Sequence, residues 1–258
     1  MSGERDSNLP FNKFSKNKYS ENGEDGIIAE ILERLELNIA KNLWCAEFGA
    51  WNGVLSSNTF ALVEKGWYAV YVEGNSKRYQ DLRKTAKKYS KIIPIEAFVE
   101  KHSNEPNSLD NILAKTNIPK DFNLLSIDID SYDCEVWESL SNYQPKVVII
   151  EINSSIPPGI IWWHTDKTPG NTFTATLNVG KKKGYELVCH TGNLIFVRND
   201  LISKLNFPEK YINYPEKLFI NHWLPDNLFR QVSLVDLIKA ITPKTIKNFV
   251  KKLMKLFS

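Results

Sequence analysis

Short apolar runs alternate with helically spaced stretches along most of this chain. Runs that fit strands fall at 43–48, 68–73, 92–98, 123–129, 146–152, 185–190 and 193–198. The first five, such as "YAVYVE", "NLLSIDI" and "KVVIIEI", lack a polar-out alternation, the pattern of parallel strands covered on both faces. The last two, "YELVCH" and "LIFVR", meet at Thr191-Gly192-Asn193, a hairpin-type turn. From Gly26, the residues Ile27, Ile28, Ile31, Leu32 and Leu35 recur at helical spacing, with Glu24 and Asp25 at the positive helix start. Further helices are predicted at about 57–66, 76–88, 108–116, 133–141 and 172–183. Five βα units followed by an antiparallel hairpin specify an α/β fold: a Rossmann-like, doubly wound, seven-stranded sheet with helices on both faces.

Outside this core the pattern changes. Residues 1–18 are polar and aperiodic and are expected to be a mobile tail. Residues 19–200 hold the α/β domain, and 201–233, aromatic and punctuated by proline, are expected to form an irregular cap on it. Residues 234–258 carry no acid after Asp236, while Lys239, Lys244, Lys247, Lys251, Lys252 and Lys255 follow. There Ile246, Phe249, Val250, Leu253, Met254 and Phe257 recur at helical spacing, a basic amphipathic helix. Such a helix lies on an anionic membrane or packs its apolar face on its own domain or a partner chain.

Composition narrows the class further. A chain of 258 residues with 42% hydrophobic and 24% charged residues is that of a soluble globular protein. A net charge of +3 gives no reason to expect a nucleic-acid partner. Cys45, Cys134 and Cys189 are widely spaced without a CxxC pair, as in reduced thiols of a reducing compartment. The first 30 residues show no apolar secretory core, and no run reaches the roughly 18 apolar residues of a membrane span. The expected location is cytoplasmic, with peripheral attachment at the inner membrane surface if the C-terminal helix binds lipid.

The candidate chemistry gathers at predicted strand ends. Trp44-Cys-Ala-Glu-Phe-Gly-Ala-Trp-Asn-Gly53 reads as a buried strand breaking into the turn Glu47-x-Gly49-x-x-x-Gly53 ahead of a helix. Strand, glycine turn and helix start make a nucleotide-sized cradle. The spacing is not G-x-G-x-x-G, and no Gly-Lys-Ser/Thr follows, so neither a dinucleotide fingerprint nor a P-loop is present. The second strand ends in Glu73-Gly74-Asn75, an acid where a ribose diol needs an acceptor. The third ends at Glu96-Ala97-Phe98, where an adenine would meet backbone and an aromatic ring. The fourth ends in Asp128-Ile-Asp130, two carboxylates aimed at the crevice where open α/β sheets bind ligands.

These features in this order resemble class I S-adenosylmethionine (SAM) methyltransferases, whose strand order is 3-2-1-4-5-7-6 with the last strand antiparallel. The resemblance is closest to the FkbM-like family and covers most of residues 19–200. It rests on "YSENGEDGII" (Tyr19–Ile28), "EFGAWNGVLSSNT" (Glu47–Thr59), "VYVEGN" (Val70–Asn75), "SIDIDSYDCEVW" (Ser126–Trp137), "VVIIEINSSIPP" (Val147–Pro158) and "KKGYELVCHTGNLIFVR" (Lys182–Arg198). It implies SAM as cofactor, held by Ser20, Glu47, Gly49, Ala50, Gly53, Asn58, Glu73, Gly74, Asn75, Ala97, Phe98 and Asp128. It also places Ser20, Glu24 and Asp25 in a lid, against the plainer reading of helix capping. Glu21 departs from a pattern that often has glutamine there. The acceptor implied is a hydroxyl of a sugar or surface-glycan precursor. An N-methyltransferase, or a non-catalytic scaffold in glycan assembly, is the alternative.

Asp-x-Asp-x-Tyr (128–132) is also similar to metal-dependent sugar O-methyltransferases of the macrocin type, which hold Mg²⁺ through acids after strands four and five. Here strand five ends in Glu151-Ile-Asn153 instead of an acid pair. Asp128, Glu151 and Asn153 are thus the expected ligands of a hard divalent cation such as Mg²⁺. Asp130 is the first candidate for general base and His164, in "PPGIIWWHTD", the second. The alternative for His164 is a packed structural role, and Trp162 and Trp163 stack on a sugar face or pack the loop. His190 and His222 lack a partner cluster and read as structural.

Overall fold

The computed structural model describes residues 8–38, 41–166 and 169–224. Seven strands, β1 (Trp44–Phe48), β2 (Tyr68–Glu73), β3 (Ile92–Glu96), β4 (Leu124–Ile127), β5 (Val147–Glu151), β6 (Tyr185–His190) and β7 (Asn193–Arg198), form one sheet in the order β3-β2-β1-β4-β5-β7-β6. The first five run parallel, and β7 is antiparallel to both β5 and β6. This is the Rossmann-like, doubly wound sheet expected from the apolar runs, with the expected strand order.

Both faces of the sheet are covered because both carry apolar side chains. Ala46, Phe48, Val70, Val72, Leu125 and Val148 belong to one buried cluster. Their strand neighbours Cys45, Ala69, Tyr71, Leu124 and Ile149 belong to the other. Alternate residues pointing to opposite faces thus both find a core.

The helices are α1 (Glu24–Arg34), α2 (Phe60–Glu64), α3 (Ser76–Lys88), α4 (Leu109–Leu113), α5 (Asp133–Ser139), α6 (Phe173–Lys182) and α7 (Glu209–Asn213). α3 starts where expected because the Asn75 side chain caps it, accepting from the Lys77 and Arg78 amides at 3.0 and 3.1 Å. α2 begins later than the periodicity suggests. The Glu47 carboxylate takes the Ser57 hydroxyl, the Asn58 amide and the Thr59 hydroxyl, and so holds 57–59 out of helical geometry.

The expected mobile tail is corrected for residues 8–18. Phe11 is wholly buried, stacked on Phe207 at 6.0 Å with the Arg34 guanidinium 5.0 Å from its ring. Asn12 donates to the His190 carbonyl at 2.9 Å. Burying one such phenylalanine is worth about 1.5–3 kcal/mol, enough to tie down a short polar segment. Residues 1–7 lie outside the described residues.

After β7, two short 3-10 helices, Asn199–Leu205 and Pro215–Leu218, flank α7. Leu205, Tyr211, Leu218 and Ile220 bury into the domain cores from this segment. The basic segment 234–258 lies outside the described residues. No helix among the described residues is long and apolar enough to cross a membrane, and the three cysteines are buried and free.

Candidate active site

Two cavities open at the carboxyl ends of the parallel strands, where the sheet order reverses between β1 and β4. The first, about 420 Å³, is built on the β1 turn. Gly49 sits at φ +84°, and a Cβ there would lie 1.7 Å from the Asp128 carbonyl oxygen. Backbone therefore passes backbone at this point, which only glycine permits. The Gly49 amide donates to the Val72 carbonyl at 3.0 Å.

Glu73 is buried, and its carboxylate accepts from the Trp51 amide at 2.9 Å and the Asn75 amide at 2.7 Å. Each oxygen keeps a lone pair for a ligand. Ala97 donates its amide to the Glu73 carbonyl at 3.1 Å. Phe98 is 74% exposed and lies over Gly74, whose Cβ would meet the ring at 2.7 Å. Trp51 also lines this cavity, with the Arg78 guanidinium 4.2 Å from its ring. Trp51, Ser56 and Arg78 were not among the expected residues. Trp51 lies inside the very turn the motif picked out, but its orientation depends on a left-handed φ of +46° that spacing does not reveal.

Several expected cofactor residues stand elsewhere. Ala50 is buried in the core beside the turn. Gly53, at φ +80°, is a packing glycine: a Cβ would lie 2.8 Å from Leu82 Cδ1. Asn58 lines the second cavity and donates to Ser126 Oγ at 3.1 Å. Glu47 reaches the first cavity, but its oxygens are already bonded to residues 57–59. Burial pushes its carboxyl above the usual range.

Ser20 lines neither cavity. Its hydroxyl bonds the Asp25 carboxylate at 2.7 Å, and the Asp25 amide returns to it at 3.0 Å. The same Asp25 oxygen accepts from the amides of Lys18, Tyr19 and Ser20, each at 2.8 Å. Buried Glu24 accepts from Thr191 Oγ1 at 2.6 Å and Asn193 Nδ2 at 3.1 Å. Ser20, Glu24 and Asp25 thus tie the start of α1 to the segment before it and to the β6–β7 turn. They hold out Glu21, which lines both cavities and accepts from Ser56 Oγ at 2.7 Å.

The second cavity, about 410 Å³, shares Asp128, Asp130 and Glu151 with the first. One carboxylate oxygen from each lies within 4.8 Å of the others. Burial and mutual repulsion push Asp128 and Glu151 well above the usual carboxylate range, Glu151 the further, and a hydrogen bond joins them. Behind them, buried Asp133 accepts from the Ile129 and Ser131 amides at 2.7 and 3.0 Å and so fixes the turn.

Among acidic residues the group brings in Asp130 beside the expected Asp128 and Glu151. Asn153 lines the cavity, but Oδ1 accepts from the Ser155 amide at 3.1 Å and Nδ2 donates to the Pro169 carbonyl at 3.0 Å. Its polar atoms are committed to the loop.

His164, the second candidate base, lines neither cavity. Its Nδ1 accepts from the Gly170 amide at 3.1 Å, and its ring lies 4.6 Å from Tyr132. This bond ties Gly170 to His164, and Trp162 and Trp163, each exposed, also stay out of both cavities. The aromatic wall of the second cavity is instead Trp223, far along the chain in the cap.

His190 is structural, as its sequence context suggested. Nδ1 accepts the Ile220 amide at 2.9 Å, so Nε2 carries the proton and donates to Ser154 Oγ at 2.9 Å. Burial, with His222 nearby, pushes it down to about 3. An unfolded histidine titrates near 6.5, so between those values the unfolded chain holds a proton the folded one refuses. Stability then falls as pH drops, by about 1.4 kcal/mol per pH unit. Urea titrations should show wild type losing about 2 kcal/mol more than His190→Gln between pH 6.5 and 5. Equal losses would remove His190 from the acid response.

No family model and no curated protein sequence matches the chain. Among solved structures it is similar to WbdD, a bifunctional kinase-methyltransferase, with TM-score 0.45 and 14% identity over 70% of this chain and 36% of that one. It is similar to the methyltransferase domain of METTL16, with TM-score 0.44 and 10% identity over 67% and 66%. It is similar also to precorrin-6y C5,15-methyltransferase from Geobacter metallireducens, with TM-score 0.41 and 17% identity over 73% and 95%. The chain thus spans about a third of the WbdD chain. The fold assignment rests on the strand order and not on these likenesses.

Proposed function

We propose that this chain is a SAM-dependent O-methyltransferase of the class I, FkbM-like type, acting on a hydroxyl of a sugar or other small polar acceptor. One observation carries the reading: Asp128, Asp130 and Glu151 form a shared wall between two cavities, one of which is a glycine-floored cradle ending at a buried ribose-type acid. A donor and an acceptor placed in the two cavities meet at these carboxylates.

The first cavity fits the donor by its own construction. Gly49 leaves open the space a side chain would fill. Glu73, already oriented by two amides, offers its remaining lone pairs to a ribose diol. Phe98 and Ala97 flank the adenine position at the end of β3. SAM, when bound, supplies an electrophilic methyl on a sulfonium. The chain's own work is to align the acceptor hydroxyl, exclude water and take the proton that leaves it. Glu21, bonded to Ser56, lines both cavities beside these carboxyl groups. Asp130 lines both and is the group placed to accept the proton.

A second reading is favoured by the spacing of the three carboxylates. Hard oxygens within 4.8 Å of one another fit a divalent cation held by Asp128, Asp130 and Glu151. Such an ion supplies Lewis acidity toward the acceptor hydroxyl, and it offsets the repulsion among these acids.

Calorimetry with SAM is the direct test. Wild type should bind, and Glu73→Ala should bind at least about tenfold more weakly, since it removes a charged acceptor and unpairs two amides. Absence of binding by wild type would sink the donor assignment.

A further inference from the structure

The second cavity has a one-sided hydrogen-bonding character. Its wall carries four carboxyl groups, Glu21, Asp128, Asp130 and Glu151, with one proton held inside the Asp128–Glu151 hydrogen bond, and no lysine, arginine or histidine among the described residues. The cations nearby are directed elsewhere. Arg78 lies on Trp51 in the first cavity, and Lys101 Nζ sits 4.4 Å above the Tyr132 ring. His190, behind the wall, is held neutral by burial.

The neutral groups strengthen the bias. All three serine hydroxyls commit their protons within the protein: Ser56 to Glu21, Ser155 to Asn153, and Ser154 to the Gly192 carbonyl at 3.1 Å. Ser154 can only donate that way, because His190 Nε2 already donates to it. Asn58 gives one amide hydrogen to Ser126 Oγ, and Asn193 gives one to Glu24. What remains toward the cavity is mostly acceptor capacity: carboxylate oxygens, hydroxyl lone pairs and amide oxygens, with the Asn22 amide and second hydrogens of Asn58 and Asn193 as the minor donors. Trp223 adds one apolar face.

From this we infer that the acceptor unit is a proton-donating, non-anionic polyol: a neutral or, better, amino-substituted sugar ring. Units bearing phosphate or carboxylate at this position are turned away. A hydroxyl or ammonium can satisfy these acceptors. An anion meets like charge and leaves these acceptors without a donor, which is how a site discriminates against the wrong ligand. The inference rests on the second cavity being the acceptor site of the proposed reaction.

The test compares methyl glucosaminide, methyl glucoside and methyl glucuronide, which share a ring and differ in charge. Binding is read at low ionic strength with EDTA present, from the indole N–H resonance that disappears in Trp223→Phe. The glucosaminide should bind most tightly and the glucuronide at least tenfold more weakly than it, with the gap reduced at least threefold in Glu21→Gln. Glucuronide binding as tight as that of the other two, or no response of the resonance to any of them, overturns the inference. SAM calorimetry on the same sample separates the two failures. A protein that binds SAM yet prefers the glucuronide refutes the charge rule alone. One that ranks the sugars as stated but ignores SAM refutes the donor assignment alone.

Discussion

Gly49→Ala should lower stability by about 3 kcal/mol, combining the cost of a left-handed φ with that of forced overpacking, and should abolish measurable SAM binding. The clash is with backbone: the new Cβ would sit 1.7 Å from the Asp128 carbonyl oxygen and 2.8 Å from its carbon. No rotamer relieves it. The Asp128 amide donates to the Phe48 carbonyl at 3.0 Å, so strand β4 is bonded to β1 immediately before the contact. The only relief is to push the end of β4 outward, carrying Asp128 away from Glu151 and distorting both cavities. Gly53→Ala is the informative contrast. It has the same kind of φ, but its Cβ meets side chains and not backbone, the end of Leu82 at 2.8 Å and the buried Tyr71 ring at 3.2 Å. It should cost about 1–2 kcal/mol and leave SAM affinity within a few-fold of wild type. Urea unfolding and SAM titration of both variants check the pair. Wild-type stability and affinity in Gly49→Ala would sink the cradle.

The fold was legible because its signal is local. Runs such as 68–73 and 185–190 coincide with β2 and β6, and α3 covers 76–88 as its periodicity predicts, with Asn75 supplying the cap. The site was legible only to the level of strand ends. Spacing located the turn 47–53 but could not say which of its residues face the ligand. Gly49 and Gly74 border the cavity, whereas Ala50 and Gly53 face the core. The same limit explains why the place of Asp130 beside Asp128 and Glu151 could not be read from spacing. In an extended strand, residues 128 and 130 share a face. Here β4 ends at Ile127 and Asp130 adopts φ +58°, a turn made by the Asp133 carboxylate bonding the Ile129 and Ser131 amides. Asp130 is thereby brought to Asp128 and Glu151 by backbone geometry, not by strand alternation. Trp223 was hidden for a different reason: it arrives from the cap, and no short-range pattern links residue 223 to residue 154.

Asp130→Asn should reduce turnover by about 10²- to 10⁴-fold, the range for loss of a positioned acid–base group, with little change in SAM affinity. The substitution is close to isosteric, and asparagine tolerates the left-handed φ of +58° better than most residues. The variant should therefore fold with near wild-type stability, and any loss of rate is chemical. Chelation divides the two roles open to this carboxylate. If Asp130 takes the proton directly, wild type keeps its rate in excess EDTA while the variant stays slow. If it helps Asp128 and Glu151 hold a divalent cation, EDTA slows wild type to the level of the variant, and excess Mg²⁺ restores wild type more readily than the variant. Near-normal turnover of Asp130→Asn with and without EDTA would clear Asp130 of both roles and move the search for the base to Glu21, Asp128 and Glu151, the other carboxyl groups that face both cavities.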